Sequence, residues 1–108
     1  MVFVEAASAS RIAPGTMHAA EAGGVKLLIA NVDGAFYAMR RTCPHMGADL
    51  SKGRLDGAVV RCRMHGVAFD VTTGKHIFEP EVQHLKMLVR EPTSFSVELR
   101  GDKVMIAL

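Results

Sequence analysis

The sequence predicts an all-β fold of antiparallel sheets, and three observations lead to this prediction. Turn-forming pairs such as Asp33-Gly34, Thr73-Gly74 and Gly101-Asp102 recur at short intervals along the chain. The runs between them alternate apolar and polar residues or are β-branched, which is the pattern of paired strands. Apolar residues make up 49% and charged residues 22% of the 108, which excludes a disordered chain. This length predicts a single domain over residues 1–108.

The first third of the chain contains one weak helical signal and one strong hairpin. The stretch SASRIAPG favours about one helical turn, which Ser8 or Ser10 could cap and which Pro14-Gly15 would end. After it, the runs KLLIANV and AFYAMR lie on either side of Asp33-Gly34. This arrangement predicts a β-hairpin.

Two further hairpins are predicted in the middle of the chain. Asp56-Gly57 stands before the run AVVRC, and Thr73-Gly74 separates VAFDV from KHIF. Between His76 and Pro92 the signal is weakest, because Pro80 and Pro92 interrupt strand pairing. We expect a loop there, with one strand around LKMLVR.

The end of the chain predicts one more hairpin. Apolar residues stand at every second position before Gly101-Asp102, and the run KVMIAL follows that turn. A period of two predicts a strand, with one face carrying Phe95, Val97 and Leu99.

Both cysteines of the chain stand in short stretches that also contain a histidine. RTCPHMGADL, residues 41–50, holds Cys43 and His45, and VVRCRMHGVAF, residues 59–69, holds Cys62 and His65. Sixteen residues separate the two motifs, and a glycine follows each histidine within two positions. Glycine allows the backbone to turn tightly and to approach a bulky inorganic group. The two stretches therefore predict two loops that offer four metal ligands.

Three kinds of site could use these residues. A disulfide between Cys43 and Cys62 would explain neither histidine. A tetrahedral zinc ion suits two cysteines and two histidines, although structural zinc sites usually pair like ligands on one turn. A binuclear iron-sulfur centre better explains why each stretch contains one cysteine and one histidine. If both cysteines bind one iron and both histidines the other, each loop contributes one ligand to each iron.

The motifs CPHMG and CRMHG resemble the two cluster-binding boxes of the Rieske 2Fe-2S proteins, and the similarity extends over about residues 25–75. The resemblance implies a Rieske iron-sulfur fold, in which sandwich-like antiparallel sheets carry a small cluster-binding subdomain, here about residues 41–79. It also implies one 2Fe-2S cluster as cofactor. Cys43 and Cys62 would bind one iron, and His45 and His65 the other.

Four positions separate this chain from the high-potential members of that family. Those members carry an extra bridged cysteine in each box, as well as a serine and a tyrosine that hydrogen-bond the cluster sulfurs. None of the residues at the matching positions forms a crosslink or is a strong side-chain donor. The resemblance therefore implies a low-potential ferredoxin, at roughly -150 mV. The four residues are Ala48, Met64, Val67 and Phe69.

The expected function is one-electron transfer from a reductase to an acceptor such as an aromatic-ring-hydroxylating oxygenase. The protein itself is not expected to be an enzyme. A small Rieske-like subunit of a nitrite-reductase-type complex and a zinc-stabilised interaction module remain alternatives. A net charge of +2 predicts no nucleic-acid partner, and the lack of an apolar run of spanning length predicts no membrane partner and a cytoplasmic location.

Residues 40–66 hold more positive charge than the rest of the chain, which favours steering of an acidic redox partner or a solvated surface. His18, His76 and His84 stand outside the boxes and are expected on the surface or in turns. The cations around the boxes are Arg40, Arg41, Lys52, Arg54, Arg61 and Arg63, opposed by Asp49 and Asp56.

Overall fold

The computed structural model describes residues 2–43, 47–63, 66–77 and 93–108, and strands dominate these ranges. Every strand pair within them is antiparallel, which confirms the predicted fold class. No helix in these ranges is long and apolar enough to span a membrane. The predicted strand around LKMLVR, Pro80 and His84 lie outside the described residues. The strands are β1 Phe3–Ser8, β2 Met17–Ala22, β3 Val25–Val32, β4 Ala35–Arg40, β5 Arg54–Asp56, β6 Val59–Arg61, β7 Ala68–Asp70, β8 His76–Ile77, β9 Ser94–Phe95, β10 Val97–Arg100 and β11 Lys103–Ala107, and two short 3₁₀ helices cover Ala9–Arg11 and Leu50–Lys52.

The central sheet has the strand order β2-β3-β4-β9, and β3 is buried on both of its faces. Leu27 and Ile29 belong to one apolar core, whereas Leu28 and Ala30 belong to a second core on the opposite face. Successive side chains of a strand point to opposite faces, so a strand between two cores is apolar at every position. This explains the four consecutive buried apolar residues Leu27, Leu28, Ile29 and Ala30 within the run KLLIANV.

The first core lies between the central sheet and a three-stranded sheet of order β1-β11-β10. Val104 and Ile106 of β11 pack there against Leu27 and Ile29 of β3. Because β1 pairs with β11, this sheet joins the two ends of the described chain.

The second core lies on the other face of the central sheet, against a sheet of order β5-β6-β7-β8. Val60 and Phe69 of that sheet are fully buried together with Leu28 of β3. Cys43 and Cys62 belong to the same buried group. The second core is therefore the part of the fold that positions the candidate site.

The hairpins predicted from turn residues are present. Val32 pairs with Ala35 across Asp33-Gly34, and both turn residues have positive φ, at 53° and 93°. Two-residue hairpins with positive φ at both positions match the twist of the strands, which is why Asp-Gly is a strong signal. Arg100 pairs with Lys103 across Gly101-Asp102, another two-residue turn, in which Gly101 has positive φ, at 59°, and Asp102 does not.

The strand predicted over residues 95–100 is wrong as a single element. Ser94–Phe95 pairs with β4 of the central sheet, whereas Val97–Arg100 pairs with β11 of the three-stranded sheet. The chain changes sheet at Ser96, whose carbonyl accepts a hydrogen bond from the Ala107 N–H at 3.0 Å. Leu99, expected on an apolar face, is 48% exposed.

The helical turn predicted near the start is a 3₁₀ helix, Ala9–Arg11, but its predicted cap is wrong. The side chain of Ser8 makes no capping hydrogen bond. Instead, the Asp102 carboxylate accepts hydrogen bonds from the N–H and the hydroxyl of Ser10, at 2.8 and 3.0 Å. The sequence reading also missed β1 and β2, which flank this helix.

Candidate metal centre

The first cysteine lies in a tight loop that follows β4. The Cys43 N–H donates to the Ala48 carbonyl, and the Gly47 N–H donates back to the Cys43 carbonyl, both at 2.7 Å. Thr42 and Asp49 pair as an isolated antiparallel bridge that closes this loop. The first loop therefore holds Cys43 by main-chain hydrogen bonds.

The second cysteine lies in a loop between β6 and β7. The Cys62 N–H donates to the Val67 carbonyl at 2.7 Å, and Arg61 pairs with Ala68 across the strands. The Arg61 guanidinium also donates to the Gly66 carbonyl at 2.9 Å. The second loop is thus held by strands on both sides and by one side chain.

The two loops repeat one backbone pattern. In each, the residue before the cysteine pairs with the residue seven positions later, and the cysteine N–H bonds to the carbonyl five positions later. In each, a glycine stands four positions after the cysteine with positive φ, 72° for Gly47 and 68° for Gly66. The histidine, by contrast, stands two positions after Cys43 but three after Cys62. The cysteine, not the histidine, therefore sets the common register.

The conformation of the two glycines explains why they occupy these positions. A Cβ added at Gly47 or Gly66 would meet no atom within 4 Å. Crowding by the described residues is therefore not the reason that glycine occupies these two positions. Positive φ is the left-handed region that residues with a Cβ rarely adopt. The sequence-based expectation that these glycines allow tight turns is confirmed.

Both cysteine side chains are buried in the second core. Cys43 is 0% and Cys62 1% exposed, and no disulfide joins these two described residues. His45 and His65 lie outside the described residues, so their predicted ligand roles stay predictions. Within the described ranges no three metal-binding side chains converge. The structure thus brings two of the four predicted ligands into one buried group.

Asp49 organises the end of the first loop, a role that the sequence reading missed. Its carboxylate accepts hydrogen bonds from the Ser51 N–H at 2.9 Å and the Ser51 hydroxyl at 2.5 Å, and lies 3.5 Å from the Arg41 guanidinium. Burial alone would raise the pKa of Asp49, but the Ser51 hydrogen bonds and the charges of Arg41 and Lys52 together lower it. The Asp-x-Ser spacing at a turn was the available signal.

A basic cleft lies beside the second loop. It has a volume of about 260 Å³, and among the described residues that line it four are cations and none is an acid. At its base Gly53 approaches β6 so closely that a Cβ would lie 2.0 Å from the Arg61 carbonyl oxygen. The lining residues among those described are Lys52, Gly53, Arg54, Arg61, Cys62, Arg63 and Gly66.

The other departures from the sequence reading are small. His18 and His76, expected on the surface or in turns, lie half-buried in β2 and β8. The His76 ring packs against Phe69 at 5.8 Å between centroids, and its buried Nε2 has no hydrogen-bond partner among the described residues. Val67 and Phe69, which stand where high-potential relatives have polar groups, are fully buried. Met64 lies outside the described residues.

Comparisons with known proteins agree with this architecture. The family model of the Rieske [2Fe-2S] domain matches residues 2–104. The chain is 36% identical over 108 residues to the ferredoxin component of biphenyl 2,3-dioxygenase of Rhodococcus jostii (strain RHA1), covering 100% of this chain and 94% of that protein.

Two solved structures are similar along nearly the whole chain. One is a chain in the complex of reduced oxygenase and oxidised ferredoxin of carbazole 1,9a-dioxygenase, at a TM-score of 0.82 and 34% identity, covering 98% of this chain and 93% of that one. The other is a ferredoxin of Sphingomonas yanoikuyae B1, at a TM-score of 0.85 and 23% identity, covering 99% of each chain. At that identity the second likeness shows the fold alone.

Proposed function

The chain belongs to the Rieske [2Fe-2S] domain family, and from that premise we propose that it is a one-electron carrier with a single 2Fe-2S cluster. Cys43 and Cys62 would bind one iron through their sulfurs, and His45 and His65 would bind the other through ring nitrogens. The carrier makes and breaks no bonds in a substrate. Two of its relatives are named as ferredoxin components, one of biphenyl 2,3-dioxygenase and one of a naphthalene 1,2-dioxygenase system.

The observation that carries the proposal is the repeated backbone pattern of the two loops. A binuclear centre with mixed ligands needs two loops of matching form, because each loop must reach both irons. Cys43 and Cys62 occupy equivalent positions in that pattern and belong to one buried group. A single zinc ion would require no such correspondence.

The donor set and its surroundings fit the cluster. Two thiols buried among Val60, Val67 and Phe69 are shielded from water, and thiolates are the ligands that iron-sulfur clusters use. When bound, the cluster supplies the site for one electron. The chain's own contribution is to fix the cysteines and exclude solvent around them. We assign this cluster-binding part to about residues 41–79.

The electron donor in this proposal is a reductase, and the acceptor is a ring-hydroxylating oxygenase. The acceptor is supported by two relatives, one named as a component of biphenyl 2,3-dioxygenase and one solved as part of an oxygenase and ferredoxin complex. The buried residues Val67 and Phe69 offer no strong hydrogen-bond donor to a cluster sulfur. We therefore expect a potential at the low end of the Rieske range, roughly -150 mV.

The decisive experiment is electron paramagnetic resonance of anaerobically purified, dithionite-reduced protein, with iron, zinc and sulfide counted on the same sample. We expect two irons and two sulfides per chain, as a 2Fe-2S cluster requires. The resonance signal should have an average g value well below that of the free electron. A colourless protein with one zinc would contradict it and support the interaction module.

A titration of the potential tests the histidine ligands separately. Imidazoles bound to one iron release protons more readily when the cluster is oxidised, so the potential should fall at high pH. A potential that stays constant up to about pH 10 would count against His45 and His65 as ligands.

A cytoplasmic location is also part of this proposal. Two thiols that serve as metal ligands and not as a disulfide fit a reducing compartment. Cell fractionation that finds the protein outside the cytoplasm would contradict it.

A further inference from the structure

We propose that the basic cleft beside the second loop is the docking site for carboxylate side chains of the protein redox partner. This inference rests on the proposed electron-carrier function and names the chemistry of the partner. The cleft is lined by four cations, Lys52, Arg54, Arg61 and Arg63, together with Cys62 itself. It therefore joins a positive surface directly to a candidate cluster ligand.

Two of these cations are neighbours in the sheet. Arg54 and Arg61 stand directly opposite each other across β5 and β6. Together with Lys52 and Arg63 they give the described lining of the cleft a positive charge. This lining is complementary to an anionic group, which is the physical reason to expect an anionic occupant.

Among the described residues, the two acids nearest to the cleft along the chain do not line it. Asp49 is engaged by Ser51 and Arg41, and Asp56 is exposed at the end of β5, outside the lining. Among the salt bridges formed by the described residues, none involves Arg54 or Arg63. Both side chains are exposed, so their charge is available to a partner.

The cleft is also fixed in place relative to the cluster loop. The Arg61 guanidinium binds the Gly66 carbonyl of the second loop at 2.9 Å, and Gly53 packs closely against the Arg61 backbone. A carboxylate seated here would bring the partner's surface against the loop that holds Cys62. Such a fixed positive surface steers acidic partners and raises the association rate, with a steep dependence on salt.

A labelled peptide of ten glutamates is the probe, because it presents carboxylates on a polypeptide without requiring the partner to be known. Its dissociation constant for the cluster-loaded protein is measured by fluorescence anisotropy at low ionic strength. The test variant is Arg54→Gln/Arg63→Gln, in which Arg61 is kept because it supports the second loop. The matched control is Arg11→Gln/Lys75→Gln, which removes two exposed charges outside the cleft lining.

We expect the test variant to weaken peptide binding about tenfold, and the control about twofold or less. Saturating peptide should also slow oxidation of the reduced wild-type protein by ferricyanide several-fold, because it covers the second loop. Equal weakening in both variants would overturn the proposal, since it would reflect net charge alone. Competition by inorganic phosphate at constant ionic strength would overturn it too, because the cleft would then be a free-anion site.

Iron and sulfide counts on each sample separate this inference from the proposed function. If the protein has no cluster but its peptide binding still depends on Arg54 and Arg63, the electron-carrier function is contradicted. The cleft would then be a binding site for acidic polypeptides without a redox role. A protein with a full cluster and no such dependence would contradict the docking site alone.

Discussion

The two cysteine loops share one backbone pattern but are held by different supports. The second loop lies between β6 and β7, whose strands pair on both sides of it, and the Arg61 guanidinium binds its glycine carbonyl. The first loop follows β4 and is closed by a single bridge between Thr42 and Asp49. Its end depends on a carboxylate that binds Ser51 and Arg41. The same backbone pattern is thus supported by paired strands and the Arg61 side chain in the second loop, and by an isolated bridge and the Asp49 carboxylate in the first.

This difference teaches that loop geometry and loop stability are separate requirements. A cluster that spans two loops needs the cysteines in equivalent positions, which the hydrogen bonds to Ala48 and Val67 provide in both. It does not need the loops to be equally stable. We therefore expect the two loops to behave alike at the cysteines and to differ in how strongly each depends on its support.

The largest effect is expected at the cysteines, where the loops should behave alike. Cys43→Ser and Cys62→Ser each replace a soft thiolate ligand by a hydroxyl, so each should lower the iron and sulfide content about tenfold or more. Metal analysis and visible absorption measure this. His18→Ala, which changes a histidine of β2 outside the boxes, is the control and should keep the cluster. Retention of a full cluster in one cysteine variant would show that only the other loop is required.

Gly53→Ala should destabilise the contact between the segments that follow the first loop and precede the second. The new Cβ would lie 2.0 Å from the Arg61 carbonyl oxygen. Because this oxygen belongs to the backbone, the clash cannot be relieved by rotating a side chain. We expect a loss of about 3 kcal/mol in the free energy of unfolding, measured by denaturant titration. Gly57→Ala, in the neighbouring turn with φ of 61° and open space, is the control and should lose about 1 kcal/mol. Equal losses in the two variants would mean that the backbone moves apart at little cost.

Gly47→Ala and Gly66→Ala compare the two loops directly. Both glycines have positive φ and open space, so each variant should lose about 1 kcal/mol from backbone strain. Gly101→Ala in the last hairpin is the control, because Gly101 has a similar φ of 59° and lies far along the chain from both loops. Thermal melting of all three measures the effect. A much larger loss for one loop glycine would show that the shared pattern is not equally important in both loops.

The smallest effect is expected at Asp49 and should depend on pH. The pKa of this carboxyl is held below its ordinary value, so its charge stabilises the fold above about pH 4 and this contribution is lost as the pH falls through the lowered pKa. Asp49→Asn should therefore lose about 0.5 kcal/mol at pH 6, and its difference from wild type should shrink toward pH 3.

Denaturant titrations of both proteins at each pH measure this difference. Asp56→Asn, an exposed position in β5, is the control for removal of one negative charge. A difference that does not change with pH would contradict the role of the Asp49 charge in the first loop.

The sequence predicted those parts of the fold that short-range chemistry decides. Asp33-Gly34 and Gly101-Asp102 specify their turns by their own φ preferences, so the hairpins around them were predictable. The double Cys and His motif predicts a metal site, because few other patterns require those residues at that spacing, and its ligand set stays a prediction. Of its four residues, the described structure locates Cys43 and Cys62.

Long-range contacts decide the parts that the sequence did not predict. Strand β1 is defined by pairing with β11, about a hundred residues away, and no local pattern reveals that partner. The alternation over residues 95–100 continues unchanged through Ser96, although the chain passes there from one sheet to another. The support that Asp102 gives to Ser10 likewise joins opposite ends of the chain. Periodicity reports which face of a strand is apolar, but not which sheet the strand enters.

The burial of β3 on both faces limits how the two cysteine loops could be transplanted. Leu28 and Ala30 form part of the wall around Cys43 and Cys62, while their neighbours Leu27 and Ile29 anchor the same strand in the opposite core. An excised peptide of residues 41–79 would leave that wall behind and expose its cysteines to solvent. A minimal artificial redox module built from this protein would therefore have to keep the β3 strand and a sheet behind it, which amounts to most of the chain.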